Sequence, residues 1–310
     1  MKRVRLLQQW FDRWQRRGNR RAFVVGVVKK FQEDRAGQLA ALIAYYSFFS
    51  LFPLLLVLTT SLGYLLDGNP DLQERIAGSA LSRIPVVGDS LQTGALQGRG
   101  AGLAVGLFGA LWAGMGAMVA AQNAMNSVWD LPRKSRPGFF SARLRALIML
   151  AVLGVGLIGS VVLSAVASAL GGLPIGAHIV LALGNVALNV AVIGLAFKVL
   201  TDRPLTVRQI WPGALVAGVV QYGFQMLGTQ LVAERIKGAS DVYGTFATVI
   251  GLLTYFYALA QVLVFAAEIN VVRDARLYPR SMFGGPPTEA DLEAHQRRLR
   301  AGIPDPTPVE

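Results

Sequence analysis

The positions of the basic residues around six long apolar stretches constrain the fold of this chain most strongly. Of the 30 Lys and Arg residues, 25 lie on one side, in the N-terminal segment, the C-terminal tail, and the second and fourth connections together with the adjoining stretch ends (Arg145 and Lys198), whereas 5 lie in the other connections. Lys and Arg beside membrane spans are retained in the cytoplasm. The alternation therefore predicts six spans with both termini in the cytoplasm. The stretches are residues 39–66, 101–128, 144–170, 178–199, 210–232 and 246–272.

The composition agrees with a membrane-embedded chain. Of its 310 residues, 53% are hydrophobic and only 15% are charged, which is too apolar for an ordinary soluble protein. Each stretch exceeds the roughly 20 residues that a helix needs to cross the bilayer, whereas barrel strands would be about 10 alternating residues. The sequence predicts an all-α membrane protein, a bundle of six transmembrane helices.

The net charge of +12 does not indicate nucleic-acid binding. The predicted cytoplasmic parts hold 25 basic and 11 acidic residues, a net charge of +14. The outer parts hold 5 basic and 6 acidic residues, a net charge of −1, and the one acidic residue left, Glu268, lies within a predicted span. Topology and contact with the anionic lipids of the inner leaflet account for this excess. We expect membrane lipids as partners, and no nucleic acid.

Residue types that support catalysis or metal binding are scarce. The chain has no cysteine and two histidines, His178 and His295, which excludes disulfides, thiolate metal sites and a histidine cluster within the bundle. Gly114 and Gly116 are not followed by the Lys-Ser/Thr of a phosphate-binding loop. We therefore predict a protein that is not an enzyme and that holds no cofactor or metal.

Three regions are expected along the chain. Residues 1–38 form a cytoplasmic segment of amphipathic, interfacial helices, because apolar residues recur there at helical spacing among arginines. Residues 39–272 form the transmembrane domain, with an outer loop at 67–100. Residues 273–310 form a cytoplasmic and largely flexible tail, which is polar and rich in proline.

The first span contains a proline and several hydroxyl groups. Pro53 should kink or break the helix near Phe49, because proline lacks a backbone donor and clashes with the preceding turn. Ser50 can satisfy a released carbonyl locally, or line a substrate path together with Tyr45. Both interpretations of these residues remain open.

Polar side chains recur on four other spans. Pairs one turn apart, such as Asn185 and Asn189, must turn away from lipid, and we expect the polar faces of the four helices to face one another. They indicate either a hydrated cavity for a polar or amphipathic solute or a bundle held by interhelical hydrogen bonds. The amides that we assign to this candidate cavity are Asn126, Asn185, Asn189, Gln221, Gln225 and Gln261.

Glu268 is the only carboxylate predicted within a span, which makes it a candidate functional residue. It can act as a proton acceptor or as the counter-ion of a cationic partner. Because it lies only four residues before the end of its span, near Arg273, a structural ion pair is an equal alternative. Lys198 lies at a matching depth and can pair with it.

Several segments together resemble one known family. They are the run Ala44 to Pro53 (AYYSFFSLFP), Asn126 with Trp129, Pro212-Gly213-Ala214, Tyr243-Gly244, and Ala267-Glu268-Ile269-Asn270. Over residues 20–280 the chain resembles the YihY/BrkB family of bacterial inner-membrane proteins, although Ala266 stands where that family usually has glycine. The resemblance implies a multi-pass protein of the inner (plasma) membrane, a six-helix bundle with both termini inside.

The function implied by the resemblance is open. An older label for the family is ribonuclease BN, but no residues here support RNA hydrolysis, and the family is also linked to envelope properties and to export or lipid movement. Our leading hypothesis is a secondary transporter or flippase-like exporter of an unknown polar or amphipathic solute. The alternative is a non-transporting scaffold or envelope-assembly factor. Glycine-rich helix faces also permit a homo-oligomer.

Overall fold

The computed structural model of the chain describes residue 15 and residues 18–65, 101–169, 175–243, 245–282 and 286–302. Within these residues all regular secondary structure is helical, as the sequence predicts. A single 3-10 turn, Arg133–Ser135, follows the third helix. The α-helices are α1 Asn19–Glu33, α2 Ala36–Leu65, α3 Ala101–Val128, α4 Phe139–Ala169, α5 Ile175–Leu200, α6 Val207–Tyr243, α7 Thr245–Asp274 and α8 Glu289–Ala301.

Six long helices, α2 to α7, pack in a closed ring in chain order. Each helix contacts the next along the chain, α7 returns to contact α2, and α3 also reaches α5 and α7. Neighbours in the chain run antiparallel, because later residues of one helix meet earlier residues of the other. The contacts that show this include Gly109 with Pro53, Gly116 with Tyr46, Gly114 with Leu150, Gln122 with Ala142, Gly156 with Val192, Gly159 with Leu188, Gly194 with Ala214 and Gly218 with Val190.

The outer surface of the ring is apolar. Large hydrophobic side chains such as Phe108, Phe140 and Val180 are more than 60% exposed, which suits a lipid environment and not water. Four segments of the described residues are long and apolar enough to cross a membrane: 36–53, 139–156, 179–200 and 249–274. Helices α3 and α6 have 28 and 37 residues. The predicted outer loop, 67–100, lies outside the described residues.

Pro53, which we expected to kink or break the first span, does not break α2. The helix continues through it to Leu65, and the Ser50 hydroxyl donates to the carbonyl of Ser47 over 2.8 Å. A Cβ placed on Gly109 of α3 would lie only 3.1 Å from the Pro53 ring. The proline therefore packs against a glycine of the neighbouring helix. The hydroxyl of Ser50 bonds to a backbone carbonyl of its own helix, which agrees with the structural interpretation of this residue.

Helix α1 packs against the bundle. Its buried face, which includes Gly26, Val27 and Lys30, contacts α7 and the residues that follow α7. Gly26 is needed there, because an added Cβ would lie 2.8 Å from the Leu277 carbonyl oxygen. The amphipathic helix predicted for residues 1–17 falls outside the described residues except for Gln15, whose side-chain amide donates to the Arg280 carbonyl over 2.7 Å.

The C-terminal tail, which we expected to be largely flexible with a short polar helix ending near Arg300, contains a helix that is docked against the region of α1. Helix α8 begins with a capping box between Thr288 and Asp291 and ends at Gly302, whose positive φ of 66° suits glycine. Arg298 of α8 forms an ion pair of 2.7 Å with Asp34, just after α1. The first and last described helices therefore meet at one end of the ring.

Candidate functional site

A lysine surrounded by carboxylates lies buried at this end of the ring. The Lys30 ammonium is 2.5 Å from Asp34, 3.5 Å from Asp130 and 3.8 Å from Glu268, which come from three different parts of the chain. Arg298 binds the far side of Asp34. The side chains are 6% exposed or less, and Glu268 is completely buried. We call Lys30, Asp34, Asp130, Glu268 and Arg298 the buried charge cluster.

Helix ends bring the carboxylates to Lys30. Asp34 is the C-cap of α1, and Asp130 follows the end of α3 in the left-handed conformation, with a φ of 53° that aspartate tolerates better than most residues. Carboxylates at helix C-termini are disfavoured by the helix dipole, and a cation is favoured there. Lys30 therefore compensates two acidic helix ends as well as Glu268.

A second group of charged residues, which we call the outer ring, adjoins the buried charge cluster. Asp291 accepts bonds from Lys29 over 2.8 Å and from Arg280 over 2.6 Å. Arg280 also binds Glu33 over 2.8 Å. These four residues, Lys29, Glu33, Arg280 and Asp291, carry balanced charges and tie the C-terminal segment to α1.

The surroundings shift the pKa values of the charged groups at this end. Burial lowers the pKa of Lys30, but Asp34, Glu268 and Asp130 together outweigh burial and raise it, so Lys30 stays an ammonium. Burial raises the pKa of Asp130, and Lys30 offsets part of that rise. Burial also acts to raise the pKa of Asp291, but its hydrogen bonds, chiefly from Lys29, hold it well below its usual range.

The hydrogen bonding of the carboxylates in the buried charge cluster is incomplete. Both oxygens of Glu268 and Oδ1 of Asp130 are buried without a hydrogen-bond partner among the described residues. Buried polar groups without a hydrogen-bond partner are costly, and a bound ion or proton is one way in which that cost is removed. This cluster can therefore accept a further positively charged species or proton.

Asn126 belongs to a second polar group at the same end of the ring. Its amide donates to the Asp202 carboxylate over 2.5 Å, and the Asp202 backbone N–H donates back to the Asn126 oxygen over 2.9 Å. Arg145 of α4 pairs with the same carboxylate. Helices α3, α4 and the end of α5 are thereby joined, and Asn126 has its bonds satisfied by protein groups.

Other predicted amides bond across helices farther along the ring. The Ser160 hydroxyl donates to Asn185 over 3.0 Å, the Asn189 amide donates to the Asn185 carbonyl over 2.9 Å, and Gln225 donates to Asn189 over 3.4 Å. This series joins α4, α5 and α6. Gln221 and Gln261 are partly buried, and neither bonds to another residue of the described segments.

The remaining predicted residues lie on α2. Tyr45 is half exposed on the outside of the ring, whereas Ser50 and Pro53 have the local and α3 contacts described above. The predicted site residues therefore fall into separate groups. Only Glu268 enters the buried charge cluster.

Sequence reasoning missed the partners of Glu268. Lys198, which we considered as its partner, is exposed, and Lys30 occupies that role. The available signal was the i,i+4 spacing of Lys30 and Asp34 at the end of an amphipathic helix. That spacing equally fits a solvated pair, so it did not indicate burial.

The helical ring, its apolar outer surface and its membrane-span candidates define an integral membrane protein. The family model described as virulence factor BrkB matches residues 27–288, so the chain belongs to the BrkB family. The inner membrane protein YhjD of Escherichia coli (strain K12) is 25% identical over 282 residues, 84% of this chain and 83% of that protein. An uncharacterised protein of Dickeya dadantii (strain 3937) is 25% identical over 273 residues, 80% and 81% of the two chains. No solved structure matches the chain.

Proposed function

We propose that the chain crosses the bacterial inner membrane six times, with both termini and the buried charge cluster at the cytoplasmic side. The concentration of Lys and Arg residues in the termini and in alternate connections supports this orientation. The antiparallel packing of consecutive helices α2 to α7 is consistent with it. In this arrangement the anionic lipids of the inner leaflet contact the basic end. Neither enzymatic activity nor nucleic-acid binding is part of the proposal.

The topology can be tested by labelling, because the chain has no cysteine of its own. Ser135→Cys, in the connection after α3, should react with a membrane-impermeant maleimide only when the cytoplasmic side is exposed. Ser90→Cys, in the predicted outer loop, should react from the periplasmic side in intact spheroplasts. Labelling of both positions from the same side would contradict the proposed crossing of the membrane between them.

The function that we propose is secondary transport: export or leaflet-to-leaflet movement of a polar or amphipathic solute. The observation that supports it most is Glu268, a completely buried carboxylate with neither oxygen hydrogen-bonded among the described residues. Ionisable groups inside membrane segments typically mark proton relays and ion or substrate paths. A purely structural acid would be expected to have its oxygens fully bonded.

Flux into and out of proteoliposomes tests this proposal. One probe is the trapped pH indicator pyranine after an imposed pH step, and the other is bleaching by dithionite of a fluorescent NBD-labelled phospholipid. We expect the wild-type protein to accelerate at least one signal over protein-free liposomes, and Glu268→Gln to reduce that rate by about tenfold or more. Asp274→Asn, an exposed carboxylate on the same helix, is the matched control and should retain the rate.

The second candidate is a non-transporting scaffold or envelope-assembly factor. It is favoured by the amides, because Asn126, Asn185 and Asn189 bond to protein groups and join neighbouring helices. Wild-type rates equal to those of protein-free liposomes for both probes would contradict transport and favour the scaffold.

A further inference from the structure

The buried charge cluster carries one more negative than positive charge. Lys30 and Arg298 supply two cations, whereas Asp34, Asp130 and Glu268 supply three carboxylates. The outer ring does not correct the imbalance, because its two cations and two carboxylates cancel. An uncompensated charge buried at this depth is strongly unfavourable, so a neutralising species is required.

Geometry indicates which carboxylate the neutralising species occupies. Asp34 is paired at 2.5 Å with Lys30 and at 2.7 Å with Arg298, so two cations compensate its charge. Glu268 has no cation closer than 3.8 Å, and both of its oxygens lack hydrogen bonds within the described residues. Its charged form is the least compensated of the three.

The neutralising species is better explained as a proton than as a metal ion. The described residues contain no group of three His, Asp or Glu side chains spaced to hold a metal ion, and the Lys30 ammonium already occupies the centre of the carboxylates. We propose that the buried charge cluster is a proton-binding site in which Glu268 holds one exchangeable proton. A role for this proton as the coupling ion rests on the proposed transport function. The existence of the proton-binding site does not depend on that function.

The charged groups that face the site agree with this assignment. Lys30 and Asp34 come from the region of α1, Asp130 follows α3, and Arg297 and Arg298 come from α8. Arg297 is paired with Glu293 of its own helix over 2.9 Å, so it leaves the net charge of the site unchanged. The raised pKa of Lys30 keeps it charged, so the proton must reside on a carboxylate. Arg298 also lies 3.6 Å from Glu33, whose side chain is 20% exposed, so ion pairs link the cluster to the residues around it.

Infrared spectroscopy of the purified full chain tests the proton site without requiring transport. The carbonyl stretch of a protonated carboxylic acid should be present at neutral pH and weaken as the pH rises. It should be lost in Glu268→Gln and retained in Asp274→Asn. A spectrum that is the same for wild type and folded Glu268→Gln across the pH series would overturn the proposal.

A second measurement uses the wild-type protein, in case Glu268→Gln does not fold. Dicyclohexylcarbodiimide modifies protonated carboxylic acids in apolar surroundings, and mass spectrometry of the digested protein locates the adduct. We expect modification of Glu268, declining at higher pH, and none of Asp274. Absence of both the Glu268 adduct and the infrared band would overturn the proton site. Loss of flux alone, with the band present, would instead overturn the transport function.

Discussion

Lys30→Met is expected to destabilise the protein by about 3–5 kcal/mol, the usual result of removing one partner from a buried ion pair. Methionine can fill the volume of the lysine stem, but it leaves Asp34, Asp130 and Glu268 without their shared ammonium. Three carboxylates would then face each other with Arg298 as the remaining cation of the buried charge cluster. Repulsion and desolvation act together against this state.

Thermal unfolding in detergent, followed by loss of monodisperse protein, measures the effect of Lys30→Met. Lys198→Met is the control, because Lys198 is exposed and its loss should change the midpoint little. Adding Asp130→Asn to Lys30→Met should recover part of the lost stability, because it removes one of the carboxylates left without the ammonium. A Lys30→Met protein as stable as the wild type would contradict the burial and pairing of this lysine.

Gly213→Ala is expected to destabilise the pairing of α6 with α7 by about 1–3 kcal/mol or more, as overpacking does at a close helix contact. An alanine Cβ would collide with the Ala266 carbonyl oxygen and lie 2.6 Å from Nδ2 of Asn270. Backbone cannot move aside as a flexible side chain can. The Gly213 N–H also donates to Asn270 over 2.7 Å, a bond that would lengthen as the helices separate.

Gly223→Ala is the matched control for this contact, because it lies on the same helix with open space where its Cβ would be. Its unfolding midpoint in detergent should stay at or above that of the wild type, since alanine favours the helix. Gly213→Ala should lower the midpoint clearly. Equal midpoints for both variants would show that α6 and α7 are not as close as described.

The helices could be predicted from the sequence because length and apolarity are local properties. Each long stretch, such as 246–272, exceeds the thickness of a bilayer, and the structure contains a helix at each of the six predicted positions. The run at Ala44 to Pro53, together with the other segments that resemble the family, also indicated the family correctly. A break at Pro53, one of the two outcomes that we expected, is not present: α2 continues through the proline, which packs against Gly109 of the next helix.

The candidate site could be predicted only in part, because pairing over long sequence separations is not a local property. Glu268 was identified as an exception to the charge pattern, but Lys30 was counted among the charges that set orientation. A charge pattern indicates a side of the membrane and does not indicate burial. The spacing of Asn185 and Asn189 likewise predicted a shared helix face without identifying Ser160 and Gln225 as partners.

These two sets of polar residues now have different expected roles. The series from Ser160 to Gln225 joins three helices through protein hydrogen bonds, which is typical of packing in lipid. The buried charge cluster joins α1, α3, α7 and α8 but leaves oxygens without partners and a net negative charge. We therefore expect the buried charge cluster to have a functional role and the amides to have a structural role.

The most direct test of this account compares the two sets in the same proteoliposome flux assay. We predict that Glu268→Gln lowers the wild-type rate by about tenfold or more while the protein remains folded. The double substitution Asn185→Leu with Asn189→Leu should lower the unfolding midpoint but leave the rate per folded protein near that of the wild type. Unchanged flux in Glu268→Gln, with flux lost in the folded double variant, would contradict the account.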